Sequence, residues 1–84
     1  MHTDVEQAAL NIAAAARVAV ELSGVKPETA LDFAATLAIR DARKAHRSGA
    51  TGHAMDFKAK IATRILDGVK SDDVRAFALA AVTR

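Results

Sequence analysis

The chain has 84 residues, a net charge of +2 and no cysteine. It therefore suits a single domain that buries only about 60–65% of its unfolded surface, and it can hold neither a disulfide nor a thiolate metal site. No run of about 18 apolar residues is present, so no membrane span is expected, and the opening MHTDVEQ lacks the positive region of a signal peptide, which makes the cytoplasm the expected location.

Alanine is abundant, Trp and Tyr are absent, and there are three Phe and one Pro. This is the composition of closely packed helices rather than of a sheet. It also weighs against nucleic-acid binding by base stacking, because Phe33, Phe57 and Phe77 fall on or beside apolar helical stripes. Charge is unevenly spread. Residues 1–39 carry two positive and five negative side chains, whereas residues 40–64 carry seven positive and two negative.

The first helix is expected from Asp4 to Ser23. Thr3 and Glu6 have the spacing of a capping box, and Gly24 is a suitable stop. Val5, Ala8, Ala9, Ile12, Ala16 and Ala19 share the apolar face. Leu10, Ala14 and Val18 stand off that face. They suit either a second packed helix or an apolar strip for a partner. The alanines allow a close helix neighbour, near the short end of the roughly 8–10 Å interaxial range.

The second helix is expected from Pro27 to Arg47, with Pro at its first position, where a missing N–H costs nothing. Ala30, Leu31, Phe33, Ala34, Leu37, Ala38 and Ala45 form its apolar side. Asp41 falls within that side, so a cationic partner is expected, from Arg17, Lys58 or Arg64, or else the N–H groups that open another helix. Ile39 points elsewhere. Arg40, Arg43, Lys44 and Arg47 are three, four and seven residues apart, which places all four on one side of the helix.

Residues 48–52, SGATG, form a loop. The third helix is expected from His53 to Asp67, with Thr51 as a cap and Met55, Phe57, Ile61, Ala62, Ile65 and Leu66 turned inward. Lys58 belongs at the edge of that side, its stem covered and its amine in water. Gly68 ends the helix. Ser71, Asp72 and Asp73 open a fourth, whose apolar side is Val74, Phe77, Ala78, Ala81 and Val82. The expected fold is all-α: a compact antiparallel bundle of four helices, two long and two shorter ones separated at Gly68, forming one domain over residues 1–84.

No constellation in the sequence suggests catalysis, a cofactor or a metal. His2, His46 and His53 are scattered and have no evident carboxylate companion. The loop SGATGH lacks the Lys-Ser/Thr of a phosphate-binding loop, although N–H groups opening the third helix beside Arg47 and Lys58 would suit an anion. The basic stripe is the most informative feature. Cations belong at a helix C-terminus, and that accounts for one or two of the four.

The leading expectation is a small non-enzymatic regulatory or adaptor protein, of the sort bacteria and their mobile elements encode, that docks on an acidic protein surface. Arg40, Arg43, Lys44 and Arg47 would carry the contact, with Lys60 and Arg64 next and Leu10, Val18 or Ile39 as apolar anchors. The alternatives are nucleic-acid binding by the same stripe, or a self-associating subunit whose acidic first helix meets the stripe of a second copy.

Overall fold

The computed structural model describes residues 1–50, 52–68 and 73–84. They form four helices: α1 Asp4–Ser23, α2 Pro27–Arg47, α3 His53–Asp67 and α4 Asp73–Thr83. The radius of gyration is 12.3 Å, close to the roughly 12 Å of a folded chain this long.

Local chemistry sets the helix ends. The Thr3 hydroxyl accepts from the Glu6 N–H at 3.1 Å, and the Glu6 carboxylate accepts from the Thr3 N–H at 3.0 Å. This capping box satisfies two donors that the first turn of α1 would otherwise leave open. Gly24 closes α1 in the left-handed region, at φ 66°. Pro27 opens α2. The N-cap of α3 is Gly52, with no side-chain cap. The expected caps Thr51, Ser71 and Asp72 lie outside the described residues.

α2 packs most extensively against α3, and α1 against α4 and α2. α2 and α3 are antiparallel: His46, near the end of α2, meets Asp56 near the start of α3, while Arg75 links Asp32 to the Ile65 carbonyl at the opposite end. α1 and α2 also run in opposite senses, since Asp4 and Gln7 share a groove with Ala38 and Asp41. α3 and α4 therefore settle on different neighbours and do not continue one rod.

The core is largely alanine. Ala9, Ala16, Ala35, Ala62 and Ala78 are fully buried, and Ile12, Leu31 and Ile65 are the largest fully enclosed side chains. Small residues let the helices approach and leave few large groups to supply hydrophobic free energy, about 0.8 kcal/mol per buried CH₂.

Several expectations about faces need correction. Phe33 is 57% exposed, and Ala35 and Ala42 are buried on α2 in its stead. Asp41 is exposed, because α1 and α3 part around it, and it needs no buried cation. Leu10 and Ile39 are half-buried against the core, so they are not free anchors. Met55 is 39% exposed at the open end of α3. Ala13 joins the buried face of α1, and Lys58 is half-buried at the edge of α3.

Candidate docking face

α2 buries one side against α1 and α3 and presents the other to solvent. Arg40, Arg43, Lys44 and Arg47 are all exposed on that outer side. At 100° per residue they fall within an arc of about 100°. The side is solvated because Ala30, Leu31, Ala34, Ala35, Ala38 and Ala42 occupy the opposite one.

The electrostatics of this arc are unusual. Among the described residues, no carboxylate pairs with Arg40, Arg43, Lys44 or Arg47. Each cation has two like-charged neighbours three or four residues away. Such pairs destabilise an isolated helix by about 0.2–0.5 kcal/mol each. Lys44, His46 and Arg47 lie in the last turn, where the helix dipole favours positive charge. Arg40 is two turns from the end and beyond that effect.

Phe33 belongs to the same face. It precedes Arg40 by seven residues and Arg47 by fourteen, so it stands in file with them. Exposed Thr29 and Thr36 fill the N-terminal half of this side.

The expected continuation onto α3 is partial. His46 Nε2 lies 2.7 Å from Asp56 Oδ1, a companion that the scattered histidines gave no sign of. Asp56 therefore faces α2. Lys60 and Arg64 follow it at intervals of four residues and lie on the same edge of α3. Both are exposed, and Arg64 is already engaged in an interaction of its own. Lys60 thus flanks the stripe, with the negative Asp56 between it and the end of α2. The start of α3 also carries its own carboxylate in Asp56, which lessens its attraction for a free anion.

Two hollows lie on the described surface. An open groove of about 540 Å³ lies between α1, α2 and α3, where Ala8, Ala38, Met55 and Phe57 are flanked by Asp4, Asp41 and Lys58. A smaller one of about 230 Å³ lies between α1 and α4, at Val5, Ala9, Val74 and Phe77. Among the described residues, no three His, Cys, Asp or Glu side chains are grouped to hold a metal ion, and no helix is long and apolar enough to cross a membrane. No family model, curated protein or solved structure matches the chain.

Sequence spacing located the four cations on one side. Phe33 belongs to that side and not to the core, because alanines fill most of the inward positions of α2. The interval of seven from Phe33 to Arg40 and again to Arg47 was the available signal.

Proposed function

We propose that this protein works by binding rather than by catalysis: it is a small regulatory or adaptor protein that docks the outer face of α2 on an acidic surface of a larger protein. The reading rests on one observation above all. Four exposed cations occupy a single arc with no carboxylate to pair with among the described residues. Their mutual repulsion is relieved when an acidic partner covers them, so the face gains more from docking than a charge-balanced surface would.

A protein partner is favoured over duplex nucleic acid by the N-terminal half of the same helix. Exposed Phe33 stands there in file with the cations, while Asp32 turns toward Arg75 of α4. A phosphate backbone tracking α2 would lie against the apolar ring of Phe33, whereas a protein surface can set apolar groups against Phe33 and acidic ones against the cations.

The test compares the wild-type chain with the double variant Arg43→Glu, Arg47→Glu. Both replaced residues are exposed, so circular dichroism should show an unchanged helical fold. A partner captured from the cells that make this protein should bind the purified wild-type chain and lose at least tenfold in affinity for the variant. Equal affinity for both would make the stripe a solvated face only. Retention on duplex DNA at about 50 mM salt, lost steeply as salt rises, would move the assignment to nucleic acid.

A further inference from the structure

Phe33, Arg40 and Arg47 form a file about 21 Å long on the outside of α2, flanked by Arg43 and Lys44. The repeat of seven is the interval at which one helix laid along another keeps meeting the same face. The file is also divided in chemistry. Its N-terminal end is an aromatic ring that is 57% exposed, and its C-terminal two turns are cationic.

We propose, building on the reading of this stripe as a protein-docking face, that its occupant is an acidic amphipathic helix of the partner, lying along α2. An apolar residue of that helix covers Phe33. Carboxylates at about seven, ten to eleven and fourteen residues from it meet Arg40, the Arg43/Lys44 pair and Arg47.

Charge complementarity selects an acidic occupant, and the division of the file selects one whose acid is segregated. A uniformly acidic segment would set carboxylates against the apolar ring of Phe33. A second copy of this chain fits poorly. Its α1 offers Val18, 52% exposed, but the residues seven and fourteen positions before it are Asn11 and Asp4, and those before Leu22 are Ala15 and Ala8. One carboxylate in four positions does not match four cations.

The test titrates the labelled full chain by NMR with three peptides of about 20 residues, each held helical by lactam bridges on its far side. One carries Leu followed by Glu at seven, ten, eleven and fourteen residues. One carries the same pattern in reverse order, because the partner helix can run either way. The third is a scramble of the same composition.

One of the two patterned peptides should bind at least tenfold more tightly than the scramble, with shifts confined to the outer residues of α2. Phe33→Ser should weaken it about fivefold or more, and Arg43→Glu, Arg47→Glu should abolish it. Equal binding of pattern and scramble, or no effect of Phe33→Ser, overturns the helix while the charge reading survives through its own double variant. No peptide binding at all, with partner capture still lost in that variant, overturns it likewise. Failure of both experiments removes the docking face itself.

Discussion

The guanidinium of Arg75 donates to the carboxylate of Asp32 at 2.7 Å, across 43 residues of chain, and to the carbonyl of Ile65 at 3.1 Å. One side chain, itself only 7% exposed, thereby ties the start of α4 to the start of α2 and the end of α3. A buried cation is tolerated only when paired and hydrogen-bonded. The Asp32 side chain is 46% exposed, so its carboxylate stays partly hydrated.

The two partners should therefore respond unequally to mutation. Asp32→Ala leaves a buried guanidinium with one carbonyl, and should cost about 2–4 kcal/mol. Arg75→Met removes the charge while keeping much of the volume. It leaves Asp32 free to hydrate and should cost less, about 1–2 kcal/mol. Urea denaturation of the two variants checks the order. A larger loss for Arg75→Met would mean that packing of the arginine stem outweighs its charge.

Glu6 should titrate below the ordinary glutamate range. The main cause is the backbone N–H of Thr3, which donates to its carboxylate. Partial burial opposes this, and the Thr3 hydroxyl, His2 and the N-terminal ammonium add smaller lowering effects. The folded pKa is thus lower than the unfolded one. The resulting stabilisation is fully present above the unfolded value and is lost as pH falls through the folded value. A side-chain carbon NMR titration should place the Glu6 midpoint below that of the same residue in an unfolded peptide of residues 1–10. Coincident midpoints would mean that the capping box does not persist in solution.

Gly24 has φ 66°, and a Cβ built there meets no atom within 4 Å. Any penalty for a side chain at this position is therefore one of backbone conformation. Gly24→Ala should destabilise the chain by about 1–2 kcal/mol, while Gly24→Asn, which tolerates the left-handed region, should cost clearly less. Thermal denaturation distinguishes the two. Equal losses would point to a reorganised turn between α1 and α2.

The contrast between Gly24 and Asp32 explains what was legible in the sequence. Helix ends were readable at Thr3, Glu6, Gly24, Pro27 and Gly68 because the causes act within a few residues. The side of each helix that faces inward was mostly readable from spacing. Which neighbour covers it was not. Asp41 projects near the buried arc, but the helices part there into an open groove. Asp32 takes its cation from α4, 43 residues along the chain. His46 and Asp56 are ten residues apart on different helices, so only the turn between α2 and α3 brings them together. The exposure of the four cations follows from their spacing, since no tertiary partner among the described residues intervenes.

Phe33 stays outside the core because most inward positions of α2 have room only for small side chains. Alanine holds those inward positions, and the close approach of α2 to its neighbours depends on that small size. Ala35 has no solvent exposure, and neither does Leu31 one turn before it. A larger residue at Ala35 would have to push α2 away from the core and strain the packing around it. Ala35→Leu should therefore destabilise the bundle by about 1–3 kcal/mol despite adding apolar surface. Ile12→Ala, which removes one of the few large enclosed side chains, should cost about 2–5 kcal/mol. Phe33→Ser should change stability by less than about 1 kcal/mol, as expected for a mostly exposed side chain. Urea denaturation of the three variants measures this ranking. A stabilising Ala35→Leu would mean that the helices are held apart by something other than their side chains. A loss at Phe33→Ser as large as that at Ile12→Ala would return the ring to the core and take away the apolar end of the docking face.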